Sequence, residues 1–399
     1  MENGFDFIDG GTITSPKGFQ AGGIHSGIKN NGRLDLSILL SEADCVCDGV
    51  FTRNKMKSAH VLLDRERLPS CSMRALVASS GCANAGTGQQ GISNALSMMV
   101  AAAKHVGIEE DGIIAASTGV IGKQLPIERI VSAIDNIQLS KDGGHTMAKA
   151  ILTTDTATKE AAVSAGGFTI GGIAKGSGML HPNMGTLLCF LTTDAAVEPV
   201  FLSKVLRQVV DATFNMVSID IDTSPNDTVL LLANGMSDNE IITEDSPQAE
   251  LFHNALKALC VNIAKAIASD GEGAGKLIEA NVNRAASLAD ARTAARAIIT
   301  SPLLKAAMHG NDPNWGRIVA AAGRSGAELV ESKIDLHING NCILKNGELL
   351  SFDHKKVSQS LQASPISIDL TLNLGEFEAT AWGCDLSPEY VTINSEYTT

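Results

Sequence analysis

Residues 181–190 read HPNMGTLLCF and join a segment unfavourable to regular structure to an apolar run. Pro182 and Gly185 interrupt helices and strands, whereas the residues from Leu187 onward form a short, continuous apolar stretch. A run of this kind predicts a strand that is buried on both faces of a sheet. Thr186 is therefore predicted to lie between a tight turn and a buried strand.

The segments on either side of this stretch predict a mixed α/β protein. The run GIIAAS at 112–117 is a second predicted buried strand, and apolar residues at helical spacing predict helices over residues 92–107 and 251–267. The residues predicted to face the core are Ile92, Leu96, Met99 and Val100 in the first helix, and Leu256, Leu259, Cys260, Ile263 and Ile267 in the second.

The carboxy-terminal third has the pattern of an α+β region with antiparallel strands. Residues 334–338 alternate between apolar and polar up to an Asn-Gly pair at 339–340, which is a strong signal for a β-hairpin. A second alternating run covers residues 366–374. We expect this run to turn at Gly375 and to return through residues 377–379.

Composition excludes several classes of function. The net charge of −13 and the aromatic content of 4% disfavour nucleic acid as a partner. No apolar run reaches the roughly 18 residues that a membrane span needs, and the first residues lack the pattern of a signal peptide, so a cytoplasmic location is expected. Eight cysteines without a CxxC pair predict reduced thiols and no metal site.

Common catalytic motifs do not match this sequence. No histidine lies in an HExxH pattern, no GxSxG elbow is present, and Lys175 precedes Gly176 where a phosphate-binding loop needs the reverse order. A Ser-His-Asp arrangement stays open, because a sequence alone does not pair a histidine with a nucleophile.

Thr186 offers a different chemistry. A threonine that begins a chain can use its own α-amino group as the base, because that group has a reference pKa of about 7.7 to 8. An internal threonine first needs the chain to be cut before it, and Gly185 provides a preceding residue without a Cβ to hinder attack. An ordinary junction between a loop and a strand accounts for the same residues.

The longer string GGIAKGSGMLHPNMGTLLCFLTTDA at 171–195 resembles the self-cleavage segment of the ornithine acetyltransferase family, also called the glutamate N-acetyltransferase family. Further blocks extend the resemblance over essentially the whole chain. They are PKGFQAGGIHSGIK at 16, STGVIGKQLPIERI at 117, ILTTDTATKEA at 151, SDGEGAGKLIE at 269, GNDPNWGRI at 310 and the final EYVTINSEYTT.

The resemblance implies a precursor cut between Gly185 and Thr186 into an α chain of residues 1–185 and a β chain of residues 186–399. It implies a layered α/β/β/α sandwich like that of amino-terminal-nucleophile hydrolases, followed by a further α+β region. The implied assembly contains two α and two β chains. Thr186 is the implied nucleophile, which carries acetyl from N2-acetylornithine to glutamate in arginine biosynthesis.

The resemblance also assigns roles to single residues. Thr118 and Gly119 match the oxyanion-hole pair of the family. The positions that match substrate-binding residues are Thr154, with Thr153 as the less favoured neighbour, Lys175, Thr186, Glu272, Asn394 and Thr399. No cofactor or metal is implied, and whether acetyl-CoA is a second donor stays open.

Two rival functions stay open at this point. An amidase or aminopeptidase with the same amino-terminal threonine would pass the acyl group to water, and the exclusion of water that separates the two reactions is invisible in a sequence. An uncleaved member of the family could act as a binding or regulatory protein, although such a protein would have no chemical need for Thr186.

Overall fold

The computed structural model describes residues 4–181 and 187–396, so Gly185, Thr186 and Thr399 lie outside the described residues. The strands are β1 (Phe5–Phe7), β2 (Phe19–Ile24), β3 (Leu36–Phe51), β4 (Ser70–Cys82), β5 (Ile113–Val120), β6 (Lys159–Ala165), β7 (Phe168–Lys175), β8 (Leu188–Thr193), β9 (Val217–Ser218), β10 (Thr228–Ala233), β11 (Leu277–Ala285), β12 (Asp335–Ile338), β13 (Asn341–Lys345), β14 (Glu348–Leu349), β15 (Ile366–Thr371) and β16 (Phe377–Cys384).

The helices are α1 (Ala59–Arg67), α2 (Gly88–Val106), α3 (Ile127–Ile134), α4 (Gly144–Ala150), α5 (Pro199–Ala212), α6 (Ala249–Ser269), α7 (Leu288–Ile299), α8 (Pro302–His309), α9 (Trp315–Gly323), α10 (His354–Ser360) and α11 (Pro388–Glu396). Among the described helices, none is both long enough and apolar enough to cross a membrane.

The first sheet is folded over on itself at β3. Its strand order is β1-β6-β7-β8-β10-β3-β4-β5, with β2 also paired to β3. Residues 36–41 of β3 pair with β2, whereas residues 46–51 pair with β10. The pairing of β3 with β4 shifts register between Leu40 and Cys45 and again before Cys47. Because such irregularities bend a strand, one continuous sheet supplies two facing layers.

A buried cluster fills the space between these two layers. Its members come from both halves of the sheet and include Leu39, Leu76, Ile114, Phe190 and Leu230. Apolar residues of α2 and α3 cover the outer face of the half formed by β3, β4 and β5. Residues of α5 and α6 cover the outer face of the other half. The predicted α/β/β/α sandwich is therefore confirmed.

Both predicted buried strands are present as β5 and β8. Lys175, which ends β7, is paired with Leu188, which begins β8, so segments on both sides of residue 185 belong to the same sheet. The helix predicted over 251–267 is α6, and all five of its predicted core residues are buried.

A second sheet forms the predicted carboxy-terminal α+β region, with the strand order β14-β13-β12-β15-β11-β16-β9. The predicted Asn-Gly hairpin joins β12 to β13, and Asn339 and Gly340 have φ angles of 45° and 74°. Positive φ at both turn positions is the requirement of a type I′ turn, which suits the twist of paired strands.

The second expected hairpin is wrong in its pairing. Residues 366–371 and 377–384 are strands, but β11 lies between them, parallel to β15 and antiparallel to β16. The chain passes over the end of β11 at Gly375, where an added Cβ would lie 2.4 Å from the carbonyl oxygen of Ala285. Alternation along a strand does not reveal a third strand that arrives from a distant part of the sequence.

The predicted core face of α2 is wrong at Leu96 and Val100, whereas Met99, another predicted core residue, is buried. Leu96 and Val100 are 37% and 39% exposed, and the helix instead packs through a side that includes Ala95, Met98 and Ala102. The apolar stripe of this helix is wider than one face. Small alanines, which weigh little in an apolar pattern, let the helix approach the sheet closely.

A pair of substitutions on α2 tests the corrected face. Met98→Ala should lower the free energy of unfolding by about 2 to 5 kcal/mol, because it leaves a cavity beside the sheet. Leu96→Ala, its matched control on the exposed side, should change that free energy by less than about 1 kcal/mol. Urea unfolding of both variants beside the parent protein measures the difference, and equal losses would contradict the packing described.

Candidate active site

Six residues that the sequence assigns to the site line a single cavity: Thr118, Gly119, Thr154, Lys175, Glu272 and Asn394. The cavity also contacts Ile121, Thr153, Gly178, Met179, Ser224 and Asn226. Its volume is about 70 Å³. The remaining predicted site residues, Thr186 and Thr399, lie outside the described residues.

Thr118 and Gly119 lie at the end of β5, next to the bulged end of β4. Gly119 has a φ of 128°, and an added Cβ would lie 2.4 Å from the carbonyl carbon of Gly81. A side chain at this position would collide with the backbone of β4. Gly119 therefore keeps the two strands in contact where Thr118 reaches the cavity.

Lys175 lies at the end of β7 with only 3% of its surface exposed. Its Nζ atom donates a hydrogen bond of 3.4 Å to Oγ1 of Thr118. Burial lowers the pKa of Lys175, although nearby carboxylates, of which Asp155 acts most strongly, oppose this change. Since the Thr118 hydroxyl accepts a bond from the ammonium group, its own hydrogen can be donated to a ligand in the cavity.

Asp155 is the carboxylate that holds the floor of the cavity together. It is 4% exposed and accepts hydrogen bonds from Nζ of Lys159 at 2.7 Å and from the backbone N–H of Gly176 at 2.7 Å. Burial tends to raise its pKa, but Lys175 and Lys159 outweigh that effect and hold the pKa below its usual value. Lys159 is also paired with Asp270 at 2.5 Å.

Glu272 also lines the cavity and is 8% exposed. Its Oε2 atom accepts a hydrogen bond of 2.8 Å from Asn394 on α11. An added Cβ on Gly178 would lie 2.4 Å from Glu272 Oε2, so a larger residue there would displace this carboxylate. Thr154, the preferred threonine of its pair, is hydrogen bonded to Ser177 at 2.7 Å.

The start of β8 is fixed by β10. Oδ1 of Asp227 accepts a hydrogen bond of 3.0 Å from the N–H of Leu187, and the N–H of Thr228 donates one of 3.0 Å to the carbonyl oxygen of Leu187. Burial raises the pKa of Asp227 well above its usual value. Behind β10, the buried His60 contacts Oγ1 of Thr228 at 3.2 Å. Leu187, the residue that follows Thr186, is therefore held through both its backbone N–H and its carbonyl oxygen.

Sequence reasoning did not single out Ser224 and Asn226. Asn226 is 3% exposed and donates to the carbonyl oxygens of Ala83 and Ser117, both at 2.6 Å, so it joins the ends of β4 and β5. The signal was present, because the string TSPND at 223–227 places turn-forming polar residues directly before the apolar run of β10. In the sequence, the residues before β8 show the same pattern, because Pro, Asn and Gly come directly before an apolar run.

Replacing Asp155 tests the buried charge network. Asp155→Asn should lower stability at pH 7 by about 3 kcal/mol, because it leaves two buried ammonium groups without this carboxylate. The folded-state pKa of Asp155 is depressed, so its contribution is complete above the unfolded pKa of about 3.9 and is lost as the pH falls further. The difference from the parent protein should therefore shrink below about pH 4.

Urea unfolding as a function of pH measures this difference. Asp142→Asn is the matched control, since Asp142 is exposed and outside the network. A stability loss that is the same at every pH would show that the Asp155 charge is not responsible.

Comparison with known proteins extends the resemblance found in the sequence. Residues 20–399 match the ArgJ family. The chain is 47% identical over 405 residues to the arginine biosynthesis bifunctional protein ArgJ of Dehalococcoides mccartyi (strain CBDB1), with 100% of both chains covered. It is 41% identical over 394 residues to the protein of the same name from Bacillus subtilis (strain 168), with 98% of this chain and 97% of that protein covered.

A solved structure is also similar. The crystal structure of arginine biosynthesis bifunctional protein ArgJ from Bacillus halodurans matches with a TM-score of 0.51 and 40% identity, over 52% of this chain and 97% of that one. The predicted family and enzyme class are confirmed by these matches. The chain belongs to the ArgJ family, whose members are acyltransferases of arginine biosynthesis.

Proposed function

We propose that the protein is a self-cleaving acetyltransferase that moves acetyl from N2-acetylornithine to glutamate through an acetyl ester on Thr186. The observation that carries this proposal is the single cavity lined by Thr118, Lys175, Glu272 and Asn394, together with Gly119 and Thr154. These residues come from distant parts of the sequence. Their convergence supports one site that combines a pair of oxyanion donors with groups of both charges.

In the proposed first half-reaction, the α-amino group of Thr186 accepts the proton of the Thr186 hydroxyl as the oxygen attacks the acetyl carbonyl of N2-acetylornithine. The hydroxyl of Thr118 and the N–H of Gly119 donate to the resulting oxyanion. The carbon–nitrogen bond then breaks, and the ornithine amine leaves with the proton. In the second half-reaction, the neutral amine of glutamate attacks the acetyl ester, its proton passes through the α-amino group of Thr186 to the departing Thr186 oxygen, and the ester carbon–oxygen bond breaks.

The charges around the cavity suit amino-acid substrates. The Glu272 carboxylate, held by Asn394, is suited to an ammonium group. Lys175 provides a buried cation whose hydrogen bond to Thr118 also strengthens that hydroxyl as a donor. Thr154 offers a hydroxyl beside Ser177. Thr399 remains part of the proposed binding set on the strength of the family resemblance.

Two observations support the proposed cut before Thr186. Lys175 pairs with Leu188, and Leu187 is bonded to both Asp227 and Thr228, so the chain that begins at Thr186 would start beside the cavity. The crystal chain from Bacillus halodurans is covered almost fully, yet it spans only 52% of this chain, as expected of one product of a cut precursor.

Further parts of the proposal follow from the family. We include an assembly of two α and two β chains, a cytoplasmic location, no metal or other cofactor, and acetyl-CoA as a candidate second donor. The hydrolytic rival shares every residue named above. It differs only in whether water or glutamate receives the acetyl group, so the acceptor has to be tested directly.

The cut is tested by the intact mass of the purified protein. We expect two polypeptides, residues 1–185 and 186–399, whose masses together exceed that of the precursor by one water. Thr186→Ala should remain a single inactive chain, because it lacks the attacking hydroxyl. Thr186→Ser is the matched control and should still be cut. A single uncut chain with full activity would contradict the mechanism.

Transfer is tested with N2-acetylornithine in the presence and absence of glutamate. Acetylglutamate should form only with glutamate, and without it the β chain should gain the mass of one acetyl group. Thr118→Val should lower kcat by roughly 10²- to 10³-fold, because it removes an oxyanion donor at nearly constant volume, whereas Thr118→Ser should retain most activity. Ornithine release that is independent of glutamate, without acetylglutamate, would identify a hydrolase.

A further inference from the structure

A second and larger cavity opens beside the candidate active site. It has a volume of about 800 Å³ and shares Thr153 and Thr154 with the first cavity. Its other lining residues include Lys29, Arg33, Lys123 and Glu396. We call this second cavity the vestibule. The inner cavity is smaller, with a volume of about 70 Å³, and the two shared threonines place the vestibule next to it, so part of a bound amino-acid substrate can extend toward the vestibule.

The vestibule is positively charged in a protein that is otherwise acidic. Among the described residues, Lys29, Arg33 and Lys123 line it against one carboxylate, that of Glu396, whereas the whole chain has a net charge of −13. The inner cavity differs, because one buried cation, Lys175, and one buried carboxylate, Glu272, both line it. An excess of positive charge is therefore a feature of the vestibule and not of the inner cavity beside it.

The loop that carries two of these cations has a defined shape. The fully buried carboxylate of Asp35 accepts backbone hydrogen bonds from Ser26 at 2.6 Å, Ile28 at 2.9 Å and Lys29 at 3.0 Å. A carboxylate that accepts several backbone N–H groups fixes the chain around it. Residues 26–35 are thus folded around Asp35.

Both cations of this loop are attached to the segment that the two cavities share. Nζ of Lys29 donates to the carbonyl oxygens of Leu34 at 2.8 Å and Leu152 at 2.7 Å. Nη1 of Arg33 donates to the carbonyl oxygen of Thr153 at 3.4 Å. Burial, followed by the charge of Arg33, lowers the pKa of Lys29 to about 8. At neutral pH the Lys29 side chain is therefore still cationic in most molecules.

The proposed donor and acceptor differ in charge at the end of the side chain. Both are α-amino acids that react at the α-nitrogen, but the side chain of ornithine ends in an ammonium group and that of glutamate ends in a carboxylate. A cationic vestibule attracts the side-chain carboxylate of glutamate and repels the side-chain ammonium group of ornithine. It therefore distinguishes the two molecules at a point remote from the reacting nitrogen.

We propose that the vestibule binds the side-chain carboxylate of the acceptor through Arg33 and Lys123 and so selects glutamate in the second half-reaction. This inference rests on the proposed function, in which glutamate accepts the acetyl group. The same charges oppose the ammonium group of ornithine, which favours release of the first product. Lys29 contributes to the potential, since its Nζ is already bonded to two carbonyl oxygens.

The test compares glutamate with glutamine, whose side chains have nearly the same shape but end in a carboxylate and in an uncharged carboxamide. With N2-acetylornithine as donor, the ratio of kcat/KM for the two acceptors is measured by competition in one mixture. Arg33→Gln and Lys123→Gln should each lower this ratio by roughly fivefold, as expected for loss of one partly exposed ion pair. The ratio does not depend on the fraction of active enzyme, so incomplete folding of a variant does not alter it.

Lys141→Gln is the matched control, because Lys141 is exposed and lies outside both cavities. It should keep the parent ratio. In the parent protein the KM for glutamate should rise with ionic strength, and the double variant should lose most of that dependence. The KM for N2-acetylornithine should fall in the vestibule variants, since its cationic side chain is no longer repelled.

A ratio that stays unchanged in both vestibule variants would overturn the inference, even if kcat/KM fell equally for glutamate and glutamine. Failure of the proposed function gives a different result. In that case the parent protein would form no acetylglutamate at all, whatever residues line the vestibule.

Discussion

The carboxylate of Asp155 joins the parts of the chain on which the candidate site depends. It accepts from the ammonium group of Lys159, from the backbone of Gly176 beside Lys175, and from the backbone of Thr153. An ammonium group buried without a counter-charge is costly, so Lys175 could not occupy its buried place at the cavity without nearby carboxylates. Lys159 extends the network to Asp270, two residues before Glu272. The floor of the cavity and its acidic side are thus one connected structure.

Local patterns predicted much of the fold. The buried strands β5 and β8, helix α6 and the hairpin at Asn339 and Gly340 all follow from apolar runs, helical spacing or turn chemistry that a few neighbouring residues determine. The errors concern relations between distant segments. The side of α2 that packs depends on the sheet beneath it, and the position of β11 between β15 and β16 leaves no mark on the alternation of either strand.

The candidate site was predicted in a different way. The residues around Thr186 were compatible with an amino-terminal nucleophile, but they did not distinguish it from an ordinary junction between a loop and a strand. The family resemblance supplied the other site residues. The fold adds what a resemblance lacks, which is the contact of Lys175 with Thr118 and that of Glu272 with Asn394. The roles of Asp155 and Asp35 depend on burial and on backbone groups. No residue-by-residue pattern predicts such partners.

The pairing of β7 with β8 has a consequence for how the protein would refold after the cut. These strands pair along residues 170–175 and 188–193, on either side of the proposed cut. The precursor would fold as a single chain, with the two strands joined covalently by the residues between them. If a cut protein unfolds, its two chains would have to find each other again. Its refolding would be bimolecular and dilution would oppose it. A processed enzyme of this design would depend on a slow rate of unfolding, because its first folding could not readily be repeated.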